Sequence, residues 1–136
     1  SYQQMKEPDG RPKPWMVGYA VMTHMLESTM PGERIDMNHD RVVCCPFKKD
    51  DDTLVVIWGL HTEVGEPNKG GPGLLTIQHR TEILYDVMGN KVDLNAAGKV
   101  HVPLEVQPYY LLFKNTDPAT ARQLLQQATI TWSDVR

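Results

Sequence analysis

The chain has 136 residues, of which 40% are hydrophobic and 23% are charged, so it is long enough and apolar enough for one compact domain with a continuous core. Its formal net charge of −3 provides no basic field that would attract nucleic acid or anionic lipid, and we expect neither partner. No apolar run reaches the roughly 20 residues that a membrane-spanning helix needs, and no charged start followed by an apolar run indicates a signal peptide.

The first part of the chain predicts an extended lead-in followed by a helix. Residues 1–14 are polar and are interrupted by three prolines and a glycine, which predicts a segment without a core of its own. From Trp15 onward apolar residues recur at helical spacing, and the sequence Met-Pro-Gly at 30–32 ends the pattern. We expect the stripe to be buried and His24, which lies off it, to be solvated. The stripe consists of Trp15, Tyr19, Met22 and Leu26, widened by Val21 and Met25.

Two apolar runs separated by five charged residues predict an antiparallel hairpin. The runs are residues 42–47 and 53–58, and the charged group between them is residues 48–52. The second run is apolar almost throughout, which is typical of a central strand covered on both faces. Cys44 and Cys45 are adjacent in a strand and point to opposite faces, so we expect one buried and one half-exposed thiol, with no redox or metal role. The side chains predicted in the core are Cys44, Phe47, Val55 and Ile57.

The rest of the chain predicts short strands separated by turns. The segment 59–73 contains five glycines and two prolines, and its His61 and Glu63 have no evident third partner, so we predict a long loop without a metal site. Asp117 and Pro118 predict the start of a short helix over 119–128. Turn signals recur at intervals of about ten residues, a spacing that predicts a mainly β fold: an antiparallel β-sandwich of about seven to eight short strands with an N-terminal helix and a short C-terminal helix. The strands are predicted at 34–38, 74–77, 82–86, 99–104, 109–113 and 129–132, in addition to the hairpin.

Three phrases in the sequence are informative in their order. The first is residues 9–14 leading into 19–26, the second is 54–58, and the third combines 85–90, 100–104 and 108–111. In this order they resemble the C-terminal end of secreted glycoside hydrolases in which a β-sandwich follows a TIM barrel. The resemblance implies that residues 1–30 are the loop and last helix of a barrel domain and that residues 31–136 are the appended β-sandwich. It also implies a catalytic barrel of the same parent chain as partner, and an extracellular or periplasmic location.

The sequence offers no catalytic site of its own. Retaining and inverting glycosidases need two carboxyl groups at a defined separation, and the barrel strands that would carry them are absent from this chain. Glu7, Glu27, Glu33 and Glu105 show no evident pairing. Motifs of a small stand-alone enzyme, such as Gly-x-Ser-x-Gly, a phosphate loop or zinc spacing, are also absent, which leaves that class the least favoured. We therefore predict a non-catalytic accessory domain with no cofactor and no metal.

A carbohydrate-binding module is the alternative function. Exposed aromatic rings stack on sugars, and five residues are candidate platforms, although burial in the core explains each of them as well. If the barrel is missing, the apolar stripe of the N-terminal helix also needs a cover, which predicts a homodimer through that helix. The candidate platforms are Trp15, Trp58, Tyr109, Tyr110 and Trp132.

Overall fold

A computed structural model describes residues 14–60, 73–78, 82–93, 95–96 and 98–132, without the side chains of 14–17 and 95–96. Three predictions lie outside these residues: the extended lead-in over 1–13, the loop segment 61–72 with His61 and Glu63, and the burial of Trp15.

Two antiparallel sheets pack face to face and confirm the predicted β-sandwich. In the described chain, one sheet has the strand order β1-β2-β3-β9-β5-β6 and the other has the order β10-β4-β8-β7. Three of these strands have only two residues, and the seven longer ones agree with the number predicted from the sequence. The elements in chain order are α1 (Pro14–Leu26), β1 (Met30–Pro31), β2 (Val42–Lys49), β3 (Asp52–Gly59), β4 (Gly73–Gln78), β5 (Ile83–Tyr85), β6 (Lys91–Val92), β7 (Asn95–Ala96), β8 (Lys99–Leu104), β9 (Tyr109–Phe113), α2 (Pro118–Gln126) and β10 (Thr129–Trp132).

The hairpin of β2 and β3 is tighter than its sequence suggests. The strands pair along their whole length, and the connection is only Asp50 and Asp51, with Asp50 at a φ of 53°. Lys49 and Asp52 therefore belong to the strands and lie opposite each other, where opposite charges are a favourable cross-strand pair. The five charged residues of the predicted tip thus divide between a two-residue turn and the strand ends.

Strand β3 is the central strand that was predicted. It lies between β2 and β9, with Val55 and Ile57 in the core between the two sheets. Leu54 and Val56 are buried on the opposite face, in a second cluster beneath α1. The prediction that Phe47 shares a core with Cys44 is wrong: the two residues are three positions apart in β2, so they point to opposite faces, and Phe47 joins the second cluster.

The connections close the sandwich at its ends. Strand β6 is at an edge of the six-stranded sheet and β7, the next strand in the chain, is at an edge of the four-stranded sheet, so a short connection joins the two sheets there. Helix α2 begins where it was predicted, because the carboxylate of Asp117 accepts a hydrogen bond of 2.7 Å from the backbone N–H of Thr120. Its Ala121 and Leu125 are buried in the main core. The strand predicted at 34–38 is reduced to one bridge between Ile35 and Cys44.

Candidate functional site

Helix α1 covers the outer face of the six-stranded sheet. The helix begins at Pro14, a first-turn position where the missing N–H of proline has no cost. Its contact face is formed by four half-buried residues of the predicted stripe: Val21, Met22, Met25 and Leu26. The burial predicted for Tyr19 is wrong, because this residue is 63% exposed. His24 is exposed, as predicted.

The second apolar cluster lies between α1 and the sheet, apart from the sandwich core. Leu54, Val56 and Tyr110 form its buried centre. The hydroxyl oxygen of Tyr110 is buried and has no hydrogen-bond partner in the part of the chain that the structure describes. Burial also raises the pKa of Tyr110 above that of an ordinary tyrosine. The half-buried sheet residues around this centre are Phe47, Trp58, Tyr85 and Leu112.

The turn between β5 and β6 is held in one conformation by Asp86. One carboxylate oxygen of Asp86 accepts hydrogen bonds of 2.9 Å from the backbone N–H groups of Met88 and Asn90. Gly89 has a φ of 82°, a left-handed conformation that glycine adopts without strain. This side-chain-to-backbone bonding gives the turn a fixed shape that α1 can fit.

The same turn packs closely on α1. A Cβ atom placed on Gly89 would lie 3.3 Å from Cγ1 of Val21, and one placed on Gly18 would lie 3.4 Å from Cγ2 of Val87. Each side thus presents a glycine to a valine of the other. Helix α1 therefore packs against this turn as well as against the sheet.

A cleft of about 660 Å³ opens beside α1, between the helix, the end of the β2–β3 hairpin and the turn after β5. This volume lies within the range of small-molecule pockets, about 300 to 1,000 Å³. The polar residues that line the cleft include Lys49, Asp52 and the exposed His24. The apolar part of the lining includes Val21, Met25, Leu54, Met88 and Leu112.

Among its described lining residues, the cleft does not contain the carboxylate pair that glycoside hydrolysis requires. Asp52 is the single carboxylate among its described lining residues, and it is already engaged. Its Oδ1 accepts a hydrogen bond of 2.8 Å from the backbone N–H of Asn115, and its Oδ2 lies 3.8 Å from Nζ of Lys114. The arrangement suits the binding of an apolar group better than acid–base chemistry.

Of the five aromatic residues proposed as sugar platforms, the four whose side chains the structure describes are not assembled on one surface. Tyr110 is fully buried, so a sugar cannot reach its ring in this arrangement, and Trp58 is half-buried in the same cluster. Tyr109 packs against the core between the sheets, on the other face of β9. Trp132 lies in the second sheet, and the side chain of Trp15 is outside the described residues.

Trp132 is held by Arg41 and His39, two residues that no sequence pattern singled out. The guanidinium carbon of Arg41 lies 3.9 Å from the centroid of the indole, a cation–π contact that covers part of the ring. The indole N–H donates a hydrogen bond of 3.0 Å to Nε2 of His39. Residues 39 and 132 are far apart in the chain, and no motif links them.

The other residues considered for catalysis or metal binding do not line the cleft in the part of the chain that the structure describes. Glu27 and Glu33 are exposed, Glu105 is half-buried, and Glu7 lies outside the described residues. Within the described ranges, no three His, Cys, Asp or Glu side chains are grouped so that they could hold a metal ion. Cys44 is buried and Cys45 half-buried, as predicted, and neither forms a disulfide. Neither of the two helices in these ranges has the length and apolar character needed to cross a bilayer.

Comparisons with known proteins identify no family. No protein-family model matches the sequence, and a search of curated proteins finds no match. A functional argument for this chain therefore depends on its own geometry and on the resemblance of its three phrases.

Proposed function

We propose that the chain is a non-catalytic β-sandwich accessory domain of a glycoside hydrolase, and that it joins a catalytic barrel of the same parent chain through α1 and the outer face of the six-stranded sheet. One observation supports this proposal most directly: all three phrases of the resemblance contribute to the second cluster. Met22 and Met25 come from the first phrase, Leu54 and Val56 from the second, and Tyr110 from the third.

The position of α1 is consistent with a layer between two domains. The helix precedes the sandwich in the chain and packs on the outside of it, and none of its described side chains belongs to the sandwich core. At the border of its contact face the helix carries Tyr19, a large and mostly exposed side chain, and the cleft lies beside the helix. Exposed apolar surface of this kind marks an interaction site, and interfaces between domains of one chain use such surfaces.

The test compares the chain with the longer protein encoded by its full reading frame. We expect an upstream barrel of roughly 250 residues. Hydroxyl-radical footprinting of both proteins should show Tyr19 and Met88 reactive in the 136-residue chain and protected in the longer one. His101, which lies on the outer face of the other sheet, is the internal control and should react equally in both. An upstream sequence without a barrel, or equal reactivity of Tyr19 in both proteins, would contradict the proposal.

The alternative function is distinguished on the isolated chain. An accessory domain should hydrolyse no glycoside in a chromogenic panel, because domains of this class do not carry the catalytic carboxylate pair. It should also show no saturable change in tryptophan fluorescence with soluble oligosaccharides and no retention on insoluble polysaccharides. Saturable binding that disappears on replacing one exposed aromatic residue would favour the carbohydrate-binding module.

A further inference from the structure

The imidazole of His39 lies between two N–H donors. The backbone N–H of Arg41 points to Nδ1 at 3.2 Å, and the indole N–H of Trp132 points to Nε2 at 3.0 Å. A neutral imidazole has one acceptor nitrogen and one N–H group, so at most one of these two contacts is a hydrogen bond at any moment. The shorter distance favours Trp132 as the donor that keeps its bond. A protonated imidazole has no acceptor nitrogen, and it can satisfy neither donor.

Among the described residues, the groups around His39 can be named element by element. From β10 it faces the neutral indole of Trp132. From α2 the neutral amide of Gln126 reaches the same segment, donating a 2.8 Å hydrogen bond to the carbonyl of Asp36. The charged residues of its own segment are Arg34, Asp36, Asp40 and Arg41, of which Arg41 places its guanidinium over the Trp132 ring.

We propose that His39 is a pH-sensitive latch: its neutral imidazole fixes the end of β10 through the Trp132 indole, and its protonation releases that end. The step takes up one proton from water and changes no covalent bond. The imidazolium then presents an N–H group to the indole N–H and lies beside a second cation, Arg41, so the ring has to turn away. Histidine side chains in general change charge between about pH 5 and 8, and this is the range in which the proposal is tested.

Release of Trp132 affects an edge strand. β10 is the outermost strand of the four-stranded sheet and pairs with β4 alone in the described chain. The contacts of Trp132 with His39 and Arg41 join this edge to the segment before β2, and the bond from Gln126 to Asp36 is a second tie nearby. Opening the latch therefore loosens the end of β10, whose Trp132 packs against the sandwich core but is not one of its buried residues.

The test follows the indole N–H of Trp132 by ¹H–¹⁵N NMR from pH 8 to pH 5, with Trp132→Phe used to assign its signal. We expect this signal to shift in one titration step. We also expect this proton to exchange with solvent at pH 5 roughly two- to tenfold faster than the pH dependence of base-catalysed exchange predicts, which is the effect of losing one net hydrogen bond. His39→Gln, which accepts a hydrogen bond but does not titrate, should abolish the step. His24→Gln removes an exposed histidine and should leave it unchanged.

A second measurement needs no variant and covers the case in which His39→Gln fails to fold. Long-range ¹H–¹⁵N spectra of the imidazole in the unsubstituted protein should show one protonated ring nitrogen at pH 8 and two at pH 5, with a midpoint equal to that of the Trp132 shift. A Trp132 signal that does not change with pH, or one that follows a midpoint different from that of the His39 ring, would overturn the proposal.

Discussion

The six-membered ring of Trp132 lies where a side chain at position 73 would have to be. A Cβ atom built on Gly73 would be only 2.5 Å from Cε3 of Trp132. The two residues are paired across β4 and β10, so the indole lies over a glycine of the neighbouring strand and covers backbone that no side chain protects. Packing against Trp132 therefore requires glycine at this position.

The first prediction is that Gly73→Ala destabilises the protein by roughly 1 to 3 kcal/mol, the usual cost of an overpacked site. The indole has to move, which weakens its contacts with Arg41 and His39 at the same time. Gly18→Ala is the matched control, since its Cβ would make an ordinary 3.4 Å contact with Val87 and alanine is favoured over glycine in a helix by about 1 kcal/mol. The denaturant midpoints should move in opposite directions, and a Gly73→Ala protein as stable as its parent would contradict this assignment.

The second prediction concerns the central strand. Ile57 is fully buried in the core between the sheets, so Ile57→Ala should lower the free energy of unfolding by roughly 2 to 5 kcal/mol. Asp51 is exposed in the two-residue turn, and Asp51→Ala should change it by no more than about 0.5 kcal/mol. Urea unfolding of the two variants measures both values. Similar midpoints would mean that β3 does not form the centre of the core.

The sequence specified the elements whose pattern is strictly local. β8 has the bounds predicted for it, because buried and half-buried residues alternate along Lys99–Leu104, and the Asp117 cap fixed the start of α2. The sequence did not specify which face of α1 would meet the sheet. Tyr19 is rotated from the centre of the contact face by about one residue of the helix, and the spacing of apolar residues does not distinguish two faces that lie so close together. The His39–Trp132 contact was unpredictable for another reason, since it depends on β10 pairing with β4.

The third prediction compares two buried hydroxyl groups. Tyr110→Phe removes a hydroxyl that has no partner in the described part of the chain, so stability should stay the same or rise. Thr53→Val removes a buried hydroxyl that donates a hydrogen bond of 2.7 Å to the carbonyl of Thr116, and it should cost about 1 to 3 kcal/mol. Thermal and urea unfolding should rank the variants in this order. A large loss of stability in Tyr110→Phe would show that its hydroxyl has a partner that this structure does not reveal.

The last prediction concerns the adjacent thiols. Burial, with a smaller contribution from the neighbouring Cys45, raises the pKa of Cys44 to about 12, from 9.0 for an ordinary cysteine. The thiolate is the reactive form, so iodoacetamide at pH 8.5 should modify the half-buried Cys45 and reach Cys44 only when the protein unfolds.

The raised pKa of Cys44 also makes the free energy of unfolding depend on pH. Below pH 9 the thiol is protonated in both the folded and the unfolded protein, and between pH 9 and 12 the unfolded chain loses its proton while the folded one keeps it, so stability falls as pH rises through this window. Cys44→Val retains an apolar side chain that does not titrate, and its unfolding free energy should fall less steeply between pH 8.5 and 10.5 than that of the parent protein. Equal slopes for the two proteins, or rapid alkylation of Cys44 in the folded state, would show that this thiol is more accessible than its place in the core implies.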